Sequence, residues 1–220
     1  LHIGLIGGIG PAATDFYYRG LITRAAAQNK DLDLTMVHAD AKTLLGNLAA
    51  DKADEQVQIY DRLTRRLQNA GAECVVVTSI AGHFCIDPFT EISPLPVIDL
   101  TDALSEWLQN AGMKTVGILG TEAVMVSGMY GKLAPVEVLA PKGDALSNVS
   151  ASYISLATTG VCTSDRQDTF FAAGRDMMER GAEAILLGGT DINLAFENVD
   201  CGFPIVDCAG IHVDSIARWT

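Results

Sequence analysis

The chain is short of positive charge. Its 220 residues carry 15 Lys and Arg against 27 Asp and Glu, for a net charge of −12 and a pI near 4.6. An acidic surface repels phosphate backbones and anionic headgroups, which argues against nucleic acid or a membrane surface as partner. No apolar run approaches the ~20 residues that a spanning helix needs. No basic n-region with a cleavage site stands near the start. The five cysteines, Cys74, Cys85, Cys162, Cys201 and Cys208, are odd in number and show no paired ligand spacing, which argues against zinc. They fit a reducing, cytoplasmic location, and Cys74 and Cys85 read as core residues. Charged residues make up only 19% of the chain and hydrophobic ones 49%, so a disordered chain is excluded and a buried core expected. The chain opens in a strand at Leu1 and stops inside a helical pattern at Thr220, so residues beyond the ends are expected.

What the sequence does have is an internal repeat. His2-Ile3-Gly4-Leu5-Ile6-Gly7 returns in form as Thr115-Val116-Gly117-Ile118-Leu119-Gly120. Gly71-Ala72-Glu73 returns as Gly181-Ala182-Glu183, and Pro96-Val97-Ile98-Asp99 as Pro204-Ile205-Val206-Asp207. The offsets are 113, 110 and 108 residues. That is far longer than the roughly 20–50 residues of a solenoid unit. The pattern predicts two copies of one α/β half about a pseudo-two-fold axis, with equivalent loops meeting in a cleft. The first half is expected over 1–98 plus 209–220, and the second over 99–208.

Short apolar runs alternate with longer amphipathic stretches, the rhythm of a parallel sheet wrapped by helices. Strands are expected at 2–7, 33–38, 74–78, 97–99, 115–119, 136–139, 184–188 and 205–207. Helices are expected at 11–29, 53–70, 101–111, 122–133, 147–159 and 165–180, with a last one closing the chain. Within 53–70, Val57, Tyr60, Leu63 and Leu67 recur at near-helical spacing, leaving Arg62, Arg65 and Arg66 to solvent. The fold class is thus α/β, with two doubly wound parallel-sheet halves.

Open parallel sheets bind ligands beyond the carboxyl ends of their strands. Four loops qualify: Gly7–Pro11, Thr78–His83, Gly120–Ala123 and Gly188–Asp191. The first, with Pro11 opening a helix, can offer backbone N–H groups to an anion. It lacks the G-x-G-x-x-G spacing of a dinucleotide site, and no acidic residue ends the second strand in the expected role. Thr121, Thr190 and Ser127 put hydroxyls near helix N-termini, where they serve either as ordinary caps or, taken together, as an anion cleft.

Three stretches carry a family resemblance. IGLIGGIGPAATDFYYRGL resembles the N-terminal block of the aspartate/glutamate racemase family. GILGTEAVMVSGMY resembles its mid-chain block, and GAEAILLGGTDINL its second active-site signature. The resemblance runs in order along essentially the whole chain. It implies two similar α/β halves, no cofactor, a homodimer, and one cysteine on each side of the substrate α-carbon. A small carboxylate or amino-acid ligand is expected at Gly8, Thr78, Ile80, Thr121, Ser127 and Thr190, without metal, nucleotide or pyridoxal phosphate. Lys42 stands where some members have an arginine for a distal carboxylate, and a lysine there is a point charge rather than a bidentate clamp.

The departure lies at the chemistry. The first family cysteine belongs to a Cys-Asn-Thr loop, matched here by Ser79-Ile80-Ala81. The second belongs to Gly-Cys-Thr followed by Glu or His, matched by Gly188-Gly189-Thr190-Asp191. A thiol can be tuned to a thiolate near neutrality, whereas a serine needs an adjacent base and a glycine supplies only an N–H. None of the five cysteines lies at either position. His83, four residues past Ser79, could reach that hydroxyl across one helical turn, or could simply be satisfied by a backbone carbonyl. His38 and Asp40 end the second strand beside the same loops. Three functions remain open: a racemase acting at an α-carbon, a lyase or decarboxylase of the same superfamily, and a degenerate binder of small carboxylates.

Overall fold

A computed structural model describes residues 1–197 and 199–219. The chain begins with β1 (His2–Gly7), α1 (Pro11–Ala27), β2 (Asp33–His38), α2 (Ala41–Ala49), α3 (Ala53–Asn69) and β3 (Cys74–Val77). A 3₁₀ turn at Ala81–Cys85 leads into α4 (Ile86–Ile92) and then α5 (Leu100–Asn110). The second copy comprises β4 (Thr115–Gly120), α6 (Glu122–Val126), β5 (Glu137–Leu139), α7 (Asp144–Thr159), α8 (Ser164–Glu179) and β6 (Ile185–Gly188). A 3₁₀ turn at Thr190–Ile192, α9 (Asn193–Phe196), β7 (Ile205–Val206) and α10 (Cys208–Trp219) complete it.

Two all-parallel sheets result, ordered β2-β1-β3 and β5-β4-β6-β7. β1, β3, β4 and β6 are almost wholly buried, as continuous apolar runs covered on both faces require. Two compact units form: Leu1–Asp99 with the chain from His212 onward, and Leu100–Ile211. The helix after Asp99 therefore joins the second unit, and most of the helix after Asp207 joins the first.

The repeat extends to individual hydrogen bonds. The His2 carbonyl accepts from the Glu73 N–H at 2.8 Å, and the Thr115 carbonyl from the Glu183 N–H at 2.8 Å. The Pro96 carbonyl accepts from Val75 at 2.9 Å, and the Pro204 carbonyl from Ile185 at 2.9 Å. Helices α3 and α8 end alike, with Gly71 at φ 93° and Gly181 at φ 100°. The next N–H, of Ala72 or Ala182, bonds back at 3.0 Å to Leu67 or Met177.

In the first unit α3 buries Val57, Tyr60, Leu63 and Leu67 against Ile6, Val75 and Val77, the stripe its periodicity predicts. Each such large side chain contributes about 1.5–3 kcal/mol relative to exposure. Several boundaries differ from expectation. The helix expected over 122–133 stops at Val126, because Gly128, Met129, Tyr130 and Gly131 all take positive φ, from 57° to 71°. The strand expected at 97–99 is a single parallel bridge from Val97 to Val75. Helices α2 and α4 were not expected. Each is short, and α2 has one buried residue, Leu44, so neither shows a full apolar stripe. Thr220, at the end of the expected last helix, lies outside the described residues. Among the described residues no helix is long and apolar enough to cross a membrane.

Candidate active site

The glycine loop after β1 is built around Thr14. Its hydroxyl accepts the Gly8 N–H at 2.8 Å and donates to the Gly10 carbonyl at 3.2 Å. The N–H expected to hold a carboxylate at Gly8 is thus already engaged. Gly8 sits at φ 89°, and a Cβ there would fall 2.3 Å from His38 Nδ1, so only glycine fits. Lys42 is exposed on the first turn of α2, whose cap is the Asp40 carboxylate accepting from the Thr43 N–H at 2.7 Å and hydroxyl at 2.6 Å. Those bonds hold the Asp40 carboxyl below its usual range. Beside this cap opens a cavity of about 210 Å³, lined by His38, Asp40, Thr43, Gln56, Arg62 and Arg66. Arg62 and Arg66, exposed as their spacing predicts, border this concavity.

The loop after β3 is deeply buried. Thr78 is fully inaccessible and its hydroxyl donates to the Ile6 carbonyl at 3.2 Å. Ser79 Oγ accepts the Gly82 N–H at 3.2 Å, and Ile80 is core. The His83 ring does not take the Ser79 hydroxyl. Its Nδ1–H donates to the Ser79 carbonyl at 2.7 Å, while Nε2 stands 3.6 Å from Asp99 Oδ1. The Ser-His pair that spacing allowed is replaced by a His-Asp pair tying this loop to the end of the next extended segment. Asp99 was missed as a partner, although the repeat had already singled out the block that ends in it.

Below this pair lies His212, fully buried, its ring 6.1 Å edge-on from that of His83. The Tyr17 hydroxyl donates to His212 Nδ1 at 2.8 Å, and Nε2–H donates to the Ile98 carbonyl at 2.9 Å. Burial first, and the neighbouring His83 second, push its pKa from 6.5 down to about 3, so the ring is neutral.

In the second unit Thr121 caps α6, accepting the Val124 N–H at 3.4 Å. Ser127 is exposed, donates to the Ala123 carbonyl at 2.6 Å and accepts from the Tyr130 N–H at 2.9 Å. Both hydroxyls expected to bind an anion have these local partners, as ordinary caps do. Thr190 and Asp191, one and two residues past Gly189, are buried at 7% and 5% exposure. Burial raises the Asp191 carboxyl above its usual range, and one of its oxygens, Oδ1, has no hydrogen-bond partner. Two residues on, Asn193 donates to Asp207 Oδ1 at 3.1 Å, and the Gly210 N–H donates to the same oxygen at 3.0 Å.

No cysteine stands at position 79 or 189, although Cys85 ends the same turn as His83. Cys74, Cys85 and Cys208 are buried and all five are free thiols. Burial raises the thiols of Cys74, Cys162 and Cys208 and pushes that of Cys85 up to about 12, opposite to the tuning a catalytic thiolate needs. Among the described residues no group of three or more His, Cys, Asp or Glu could hold a metal ion.

The profile of the Asp/Glu/hydantoin racemases matches residues 6–216. The chain belongs to this family. Among solved structures it is similar to a provisionally assigned Asp/Glu racemase from Yersinia pestis, at 25% identity and a TM-score of 0.88, covering 100% of this chain and 99% of that one. It is similar also to an aspartate racemase homologue from Pyrococcus horikoshii, at 21% identity and TM-score 0.82, covering 99% and 98%. A glutamate racemase from Francisella tularensis, solved with D-glutamate, shares the fold at 16% identity and TM-score 0.68, covering 99% and 80%. Within this racemase family the chain presents Ser79 and Gly189 where the resemblance places thiols.

Proposed function

We propose that the chain is a cofactor-independent enzyme acting at the α-carbon of a small carboxylate of the aspartate or glutamate class, with racemisation as its reaction. Family membership over residues 6–216 carries this reading. The loop positions Ser79 and Gly189 are its reaction positions. Thr190 and the backbone of the glycine loops meet the ligand, with Lys42 as the cation for a distal carboxylate. Thr78, Ile80, Thr121 and Ser127 act by holding those loops, and His83 acts with Asp99 in the same way. A cytoplasmic homodimer belongs to the same proposal.

A second reading, a lyase or decarboxylase needing one proton donor, is favoured by a specific observation. Neither reaction loop holds a thiol, so two-sided thiol chemistry has no groups to run on. Replacing a positioned acid or base costs about 10²–10⁴-fold, so racemisation of aspartate or glutamate should be slow beside a two-cysteine enzyme. The test is deuterium incorporation from D₂O at the α-carbon of each enantiomer of aspartate and glutamate, followed by NMR. Exchange with formation of the opposite enantiomer supports the racemase. Carbon dioxide or alkene release without exchange moves the assignment to the second reading. Binding without any turnover overturns both.

A further inference from the structure

The side-chain space at Gly189 is already filled. A Cβ built on Gly189 would lie 2.4 Å from Cε2 and Cζ of Tyr153 and 2.5 Å from its Oη. Glycine is therefore required there by a neighbour, since the backbone at φ −165° is ordinary extended chain. Tyr153 comes from the middle of α7, one turn after Ser150, whose Oγ accepts the Glu122 N–H at 3.0 Å. The helix thus places one hydroxyl against the loop after β4 and a phenol against the loop after β6. The Tyr153 phenol lies near enough to the Asp191 carboxylate for that charge, after burial, to raise it above its ordinary range. Asp191 Oδ1 is itself buried without a hydrogen-bond partner.

We propose that Tyr153, backed by Asp191, is the proton-transfer residue of the Gly188–Asp191 loop, an oxygen acid standing where the family's second thiol would project. The proposal rests on the reading of the chain as an enzyme acting at an α-carbon. In the deprotonating direction the ligand's C–H bond breaks and its proton goes to the phenolic oxygen. The phenol's own proton passes to Asp191, and the electron pair stays on the ligand carbon, delocalised into its carboxylate. In the protonating direction the three transfers reverse, which serves a racemase and a one-donor lyase alike. Burial and the adjacent carboxylate both raise the Tyr153 phenol, and burial raises Asp191, which makes that carboxylate a better acceptor for the phenol's proton than an exposed one. The unpartnered Asp191 oxygen is the kind of buried acceptor whose desolvation needs an explanation, and a ligand N–H supplies one.

The experiment measures α-proton exchange in D₂O for L- and D-aspartate and L- and D-glutamate, using the full chain. Wild type, Tyr153→Phe, Asp191→Asn and the double variant Gly189→Cys/Tyr153→Ala are compared. Tyr153→Phe keeps the ring that fills the space, so folding is expected, and its kcat for exchange should fall about 10²–10⁴-fold with KM unchanged. Asp191→Asn keeps the shape and should fall with it; it carries the test if the first variant does not fold. The double variant returns a thiol to the vacated volume and should recover exchange that iodoacetamide abolishes, whereas exchange by wild type resists that reagent. Wild-type exchange that persists unchanged in Tyr153→Phe or Asp191→Asn overturns the proposal and leaves the functional reading standing. A wild type that exchanges none of the four acids overturns the functional reading and the proposal together.

Discussion

The two halves solve the same local problem with different side chains, and the difference separates scaffold from chemistry. After β3 the chain turns through a buried 3₁₀ segment, and His83 reaches the carboxylate of Asp99. After β6 it turns the same way, and Asn193, which the 110-residue offset pairs with His83, reaches Asp207. A neutral amide and an imidazole occupy equivalent places and tie equivalent loops to equivalent aspartates. The tie is therefore a property of the fold, and it explains His83 without an acid–base role. The residues that break the equivalence are different ones. Ser79 keeps its side chain and accepts from its own turn, whereas Gly189 has none and yields its space to Tyr153. Asymmetry laid over a symmetric scaffold marks where the two halves do different work.

The largest expected effect tests the helices that follow those aspartates. The offset of 108 pairs buried His212 with buried Leu104, so one half carries an ionisable ring where the other is apolar. With its folded pKa lowered from 6.5 to about 3, His212 binds fewer protons folded than unfolded. Its contribution is present above pH 6.5 and is lost as pH falls through about 3, several kcal/mol at about 1.4 kcal/mol per pKa unit. Denaturant unfolding at stepped pH should show that slope in wild type and a much shallower one in His212→Gln. Equal slopes would remove His212 as the acid-sensitive group.

Next in size is the packing at Gly189. Gly189→Cys should lose about 1–3 kcal/mol by overpacking against Tyr153, and adding Tyr153→Ala should relieve that overlap. Ser79→Cys, with a Cβ already present, should lose only about 1 kcal/mol for its hydrogen bond. If chemical denaturation ranks the single variants the other way, the space at Gly189 is not what Tyr153 fills. A comparable effect tests the tie. His83→Ala should cost about 1–3 kcal/mol by removing its buried bond to the Ser79 carbonyl, and His83→Asn, which copies the other half, should cost clearly less. The smallest concerns the strand starts. Glu183 accepts from both Lys114 and Thr115, which lowers its pKa, while Glu73 accepts from His2. Glu183→Gln should lower Tm slightly more than Glu73→Gln at neutral pH. The gap should close as acid protonates Glu183, whose lowered pKa gives stability only while it is ionised.

How much was legible beforehand depended on whether the signal was local. The repeat blocks are adjacent residues with a fixed offset, so β1, β3, β4 and β6 and their order of appearance could be read directly. The stripe on α3 was legible for the same reason, since Val57, Tyr60, Leu63 and Leu67 share a face whatever they touch. Short α2 and α4 were not, because one or two buried residues do not make a period. At the site, the absence of cysteine at 79 and 189 was visible. The partner of His83 was not, because sixteen residues separate it from Asp99 and spacing favoured the nearer Ser79 hydroxyl.

The sequence by itself determined an acidic α/β chain of two repeated parallel-sheet halves, the loops that end their strands, and a serine and a glycine at positions 79 and 189. Alternation of apolar and polar residues, turn glycines and a fixed offset are all properties of neighbours along the chain, so no coordinates were required. Tertiary structure alone decided which polar groups already have local partners, as at Gly8, Thr121 and Ser127, and what fills the space beside Gly189. Tyr153 and Gly189 lie 36 residues apart, on a helix and a strand end. Their relation is one of volume, and two atoms that cannot occupy the same space leave no mark in a linear pattern.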